Sequence, residues 1–193
     1  MKRNILTCLI CVLCYANISF AQRNEAAWDN TVNKNWDGGF QLVQIPSTSD
    51  TALQKAWYHK SSKASLQPLI VSLHTWSGDY NQEDPLAREI LLRDWNYIHP
   101  DFRGANNKTD ACGSDKVIAD IEDAILFSVK NGNADTANIH IIGVSGGGYA
   151  AMLAYMKLNY PVKSFNAWVG ISDLTSWYWE SKGRNAKYAS DIE

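Results

Sequence analysis

The sequence predicts an α/β fold with a mainly parallel sheet and helices on both faces, and three observations carry that expectation. Residues 68–74 and 138–144 are near-continuous apolar runs, as expected of strands buried on both faces of a parallel sheet. Between the strands the apolar residues recur at helical spacing, most clearly Ile118, Ile121, Ile125 and Val129. Finally, a turn of small residues, Gly143-Val144-Ser145-Gly146-Gly147, joins a buried strand directly to a helix.

Taken in order, residues 39–45 and 52–59 read as two strands joined by the turn residues Pro46-Ser47-Thr48-Ser49-Asp50, hence an antiparallel pair. Residues 68–74 form the first central strand. Asp84 as N-cap with Pro85 at the first helical position opens a helix carrying Leu86, Ile90 and Leu91, which ends near Trp95. A short strand over 97–102 runs into the Gly104-Ala105-Asn106-Asn107 loop. Ser114 or Asp115 caps the second helix, which Asn131-Gly132 stops. Strand 138–144, helix 147–158 and strand 164–171 complete the alternation. No internal repeat or second-domain linker interrupts it.

Composition narrows the function. With 18 Lys and Arg against 20 Asp and Glu, nothing basic awaits a phosphate backbone, so no nucleic-acid partner is expected. At the N-terminus, Lys2 and Arg3 precede an apolar run over 5–15, and Ser19-Phe20-Ala21 supplies the small residues of a signal-peptidase site. Residues 1–21 therefore read as a signal peptide cut before Gln22, and residues 22–38 as a polar lead-in anchored by Trp28 and Trp36. Residues 39–193 form the domain. The expected product is secreted or periplasmic. The apolar run falls short of the roughly 20 residues of a membrane span, and Leu13 before Cys14 departs from a lipid-attachment signal. Three of the four cysteines fall within the signal, which leaves Cys112 as a lone thiol and no disulfide framework.

The chemistry concentrates at Ser145. A G-x-S-x-G between strand and helix holds its serine on a strained turn, and the helix start aims free backbone N–H groups at whatever bonds to the serine oxygen. Gly146 is the expected oxyanion donor of that turn. The same glycines could instead serve a tight structural turn or a dinucleotide cradle. The cradle, however, wants glycine where Ser145 stands and an acidic residue about 20 positions on, and Asp173 comes late for that. After the first central strand, His74-Thr75-Trp76-Ser77-Gly78 lies where a second oxyanion donor is expected, with Trp76 the expected donor. His74 reads as a brace for that loop. Thr75 stands where glycine is usual.

These motifs resemble the α/β-hydrolase superfamily, and within it the prolyl-oligopeptidase-like branch of peptidases and secreted esterases. The resemblance rests on Leu73 to Gly78, Pro100-Asp101-Phe102-Arg103-Gly104, the helix carrying Asp120 and Asp123, and Gly143 to Tyr149. It implies a Ser-acid-His triad, acyl-enzyme chemistry, and neither metal nor cofactor. In that fold the acid and the histidine follow the serine, whereas His59, His74, His99 and His140 all precede it. The expectation is a domain whose C-terminal part is missing after the sixth strand, or else a catalytically lapsed relative. Asp173, just past the last strand, is either the catalytic acid or a helix cap. Trp177 and Trp179, in an expected loop at the same edge as Ser145, either bind a sugar or aryl group or pack onto the core. The functional expectation is a secreted serine hydrolase cleaving a small-molecule or carbohydrate-linked acyl ester. The alternatives are a prolyl-oligopeptidase-type peptidase and a non-catalytic carbohydrate-binding relative.

Overall fold

The structure, a computed structural model, describes residues 36–193, so the signal segment and all but the end of the lead-in lie outside it. Six strands, β1 (Gln41–Pro46), β2 (Leu53–His59), β3 (Gln67–Leu73), β4 (Asn96–Pro100), β5 (Ala134–Val144) and β6 (Ser164–Trp168), form one sheet in the order β1-β2-β4-β3-β5-β6. The β1/β2 and β2/β4 pairs are antiparallel, whereas β4, β3, β5 and β6 run parallel. The alternation of strand and helix that predicted a mainly parallel sheet is therefore present. The antiparallel pair at one edge is the hairpin that the turn residues predicted.

Five helices accompany the strands: α1 (Leu86–Arg93), α2 (Asp115–Asn131), α3 (Gly146–Lys157), α4 (Leu174–Gly183) and α5 (Tyr188–Ile192). Strand periodicity sorts the side chains between the faces. On one face, Tyr58, Leu69, Val71, Ile98, Ile139 and Ile141 meet Ile121 and Ile125 of α2 and the alanines of α3. On the other, Trp57, Ile70 and Tyr97 meet Trp36, Phe40 and Ile90 of α1. The predicted cap of α1 forms: Pro85 has helical dihedrals, and Asp84 accepts the Leu86 N–H at 2.8 Å.

Two strand boundaries differ from expectation by three residues or more. β5 begins at Ala134 rather than residue 138, and its register against β3 shifts between Gln67 and Leu69. The early part reads as a turn because Asp135 bonds back to the Ala137 N–H and to Asn138. β6 ends at Trp168 rather than residue 171, because Val169 takes φ +42° and bends the chain across α3. There a Cβ added to Gly148 would sit 2.8 Å from Gly170 Cα.

His99 on β4 is 2% exposed, and neither ring nitrogen has a hydrogen-bond partner. Burial lowers its pKa to about 4. Between about pH 6.5 and 4 the unfolded chain takes up a proton that the folded chain refuses, so stability is lost as pH falls through that window, by roughly 3 kcal/mol in all. Urea unfolding at pH 7 and pH 4.5 should reveal this slope, and His99→Phe should flatten it.

Candidate active site

The sheet register sets the site. Leu73 pairs with Gly143, so the segments that follow β3 and β5 leave the carboxyl edge of the sheet side by side. One carries Trp76 and the other Ser145. Ser145 sits at φ 55°, ψ −116°, a conformation that costs about 1–3 kcal/mol outside glycine. Two bonds hold it there: its N–H donates to Trp168 O at 3.0 Å, and its carbonyl accepts the Tyr149 N–H at 3.0 Å. It occupies the N-cap position of α3, yet its hydroxyl makes no capping bond. The hydroxyl is half-buried, and the first N–H groups of α3 are left to meet a ligand.

Gly146 and Gly147 allow the close approach that this geometry needs. A Cβ on Gly146 would lie 2.4 Å from both N and Cα of Trp76, and one on Gly147 would lie 2.2 Å from Leu73 O. Both clashes are with backbone, which no rotamer change relieves. The two segments are thus locked together at the serine.

The departure at Thr75 is absorbed locally. Thr75 keeps a negative φ, and both its N–H (2.8 Å) and its hydroxyl (3.1 Å) donate to Gln82 Oε1. The Trp76 carbonyl accepts the Asn106 N–H at 2.8 Å. Among the described residues neither the Trp76 N–H nor the Gly146 N–H has a protein acceptor. The side chain of Trp76 is 2% exposed: its indole N–H donates to Asp191 at 3.1 Å, and the ring meets Trp177 edge-on at 4.7 Å.

None of the four histidines serves Ser145. The His59 ring nitrogens face Gly39 O and Asp94. His74 stacks on Phe102 at 3.8 Å between ring centroids, with its nitrogens against the carbonyls of Asp101 (2.7 Å) and Thr75 (3.0 Å). This is the bracing role expected of it. His99 is enclosed beneath the sheet. His140 faces Ser164 Oγ at 2.8 Å, five strand residues before Ser145 and so roughly 16 Å away.

No family model matches this chain, and no curated protein matches it. Solved structures do. Over 74% of this chain, the acylaminoacyl peptidase of Pyrococcus horikoshii superposes with a TM-score of 0.62 at 21% identity. A puromycin-hydrolysing peptidase of Mycobacterium tuberculosis matches 89% of it with a TM-score of 0.61 at 18% identity. The S-formylglutathione hydrolase of Staphylococcus aureus matches 72% with a TM-score of 0.59 at 12% identity. This chain has the α/β-hydrolase fold. It spans 26% and 27% of the two peptidase chains and 60% of the S-formylglutathione hydrolase chain.

Within that α/β-hydrolase fold the remaining predicted residues sit as follows. Asp173 is exposed at the N-cap of α4, where it accepts the Ser176 N–H at 3.0 Å and the Ser176 hydroxyl at 2.7 Å. These bonds hold its pKa below the ordinary carboxylate value. The capping alternative for Asp173 is the one its geometry fits. Trp177 and Trp179 lie on helix α4 and not in a loop, because the Asp173 cap starts a helix that runs through the aromatic run. Two positions apart on a helix, they do not share a face. Trp177 is half-buried between Trp76 and Tyr188, whereas Trp179 is 62% exposed with the Lys182 ammonium 5.4 Å from its ring. Sequence reasoning missed Gln82, Asn106 and Asp191. Gln82 accepts two bonds from Thr75 within one loop, and Asn106 and Asp191 each make one long-range bond to Trp76; such bonds leave no periodicity or motif to read.

Arg103 anchors the neighbouring loop. Its guanidinium donates to Asp120 at 2.6 and 3.0 Å, to Asp50 at 2.8 and 3.0 Å, and to Ser47 at 2.8 Å. Burial alone would lower its pKa, but the hydrogen bonds it donates to the two carboxylates, and their charge, outweigh that and raise it.

Proposed function

We propose that this chain carries the nucleophile of a secreted serine hydrolase that cleaves an ester through a Ser145 acyl-enzyme. One observation carries the reading: the strained Ser145 has an unused hydroxyl, and beside it stand two backbone N–H groups, of Gly146 and Trp76, with no protein acceptor. In the reaction Ser145 Oγ attacks the ester carbonyl carbon and loses its proton to a base. The oxyanion that forms is held by the Gly146 and Trp76 N–H groups. The C–O bond to the leaving alcohol then breaks, the alcohol takes up the proton, and water hydrolyses the acyl-serine.

The base is assigned to a residue outside the described part of the site, since every histidine of this chain is engaged or distant. Two of the matched folds belong to peptidases and one to an S-formylglutathione hydrolase, a range that leaves the acyl bond open. The ester reading, with a carbohydrate-linked acyl group as substrate, draws on the exposed Trp179 ring, which suits stacking on a sugar. A secreted or periplasmic location rests on the signal-like first 21 residues.

The test is labelling by a fluorophosphonate in the protein that carries this chain together with its base, located by mass spectrometry. Label on Ser145, lost in Ser145→Ala, is the expected result.

A further inference from the structure

We infer that Asp191 is a positioning residue that fixes the Trp76 backbone N–H beside Ser145. This inference rests on the oxyanion role given to Trp76 above. Trp76 is among the largest fully buried side chains, and a buried indole N–H without an acceptor carries the full cost of desolvation. Asp191 Oδ2 is its acceptor, 115 residues away along the chain. The bond is charge-assisted, which makes it one of the stronger kinds of hydrogen bond.

The surrounding contacts point the same way. Trp177 on α4 meets the Trp76 ring edge-on, and Tyr188 on α5 packs against Trp177 at 5.0 Å. Helices α4 and α5 thus press the indole from one side while Asp191 sets its rotation. On the other side, Trp76 N and Cα abut Gly146 so tightly that no Cβ fits between them. Rotation of the indole alone leaves Cα in place, so Asp191 acts on the N–H by keeping the 74–78 backbone in the position that the seated indole and the Gly146 contact together require. A displacement of about 1 Å at such a donor is enough to cost catalysis about a hundredfold.

The experiment compares Asp191→Ala, Asp191→Asn, Tyr188→Leu and Trp76→Phe in the protein that carries this chain together with its base. Two readouts are used: amide hydrogen exchange of the 74–78 segment, and the rate of Ser145 labelling by a fluorophosphonate. Asp191→Ala should speed exchange of that segment about tenfold, as the loss of a hydrogen bond to a charged group predicts, and should slow labelling by a comparable factor. Asp191→Asn keeps an acceptor oxygen and should stay within about twofold of the parent. Trp76→Phe keeps an aromatic ring but removes the donor together with the pyrrole half of the indole, so it should loosen the segment at least as much as Asp191→Ala, and adding Asp191→Ala to it should change nothing further. Unchanged exchange in both Asp191→Ala and Trp76→Phe would overturn the inference. So would a result in which Asp191→Asn and Tyr188→Leu loosen the segment as much as Asp191→Ala does, since that describes mere coverage by α5. Absence of Ser145 labelling in the parent protein counts against the hydrolase reading alone, because the exchange comparison still decides the role of Asp191.

Discussion

Gly147→Ala is expected to unfold this chain or leave it with too little stability to purify as a native protein. The added Cβ would meet Leu73 O at 2.2 Å and His74 O at 2.7 Å, both backbone atoms at the buried carboxyl end of β3. To relieve the contact, α3 must move away from β3. That motion also opens the Gly143 contact, where a Cβ would sit 2.1 Å from Gly147 O, and the packing of Ala150, Ala151 and Ala154 against the sheet. Overpacking a close interior contact costs about 1–3 kcal/mol when side chains can yield, and more when only backbone can. Against a total stability of about 5–15 kcal/mol, such a loss is decisive. Urea unfolding followed by circular dichroism measures it, and a midpoint unchanged from the parent would contradict the close approach described here.

Arg103→Met is expected to destabilise the fold by about 3–5 kcal/mol, because it leaves the Asp120 carboxylate buried without its cation. Arg103 is 8% exposed and Asp120 is 2% exposed, and burial already raises the Asp120 pKa in the intact pair. The loss ties together three parts of the chain: the β1–β2 turn through Asp50 and Ser47, the loop after β4, and helix α2. Removing both charges, as in Arg103→Met with Asp120→Leu, should recover much of the loss, since no orphaned charge remains. Urea midpoints of the single and double variants decide it. A single variant as stable as the parent would show that the network contributes only surface electrostatics.

The parallel strands were legible in the sequence because burial on both faces writes itself as an unbroken apolar run, as in residues 68–74. Ser145 was legible because the elbow demands glycine at several neighbouring positions. The end of β6 was not, since Ala167-Trp168-Val169 continues the β-prone pattern and only the crowding at Gly148 turns the chain. The helix over Trp177 and Trp179 was hidden for a related reason: an aromatic run without apolar periodicity looks like a loop, and its helix starts from the Asp173 cap. Asp120 and Asp123 read either as solvated charges on an amphipathic helix or as a brace for the Arg103 loop; both are buried, and Asp120 is the one that pairs with Arg103. Their partners, Arg103 at 17 residues' remove and Thr48 at 75, are supplied by tertiary folding. The base of a triad could not be read because no histidine follows Ser145 in this sequence, and Asp173, read as acid or cap, caps α4.

The account stands or falls on Ser145 as a nucleophile held beside two backbone donors. The most direct measurement is to treat the chain, with and without the segment that supplies the general base, with a fluorophosphonate and locate the adduct by mass spectrometry, alongside Ser145→Ala and an assay on p-nitrophenyl acetate. The account predicts an adduct on Ser145, absent from the alanine variant, when the segment that supplies the general base is present, and no more than trace labelling and turnover by the chain alone. Labelling that persists in Ser145→Ala, or none at any serine of the parent with that segment present, would contradict it.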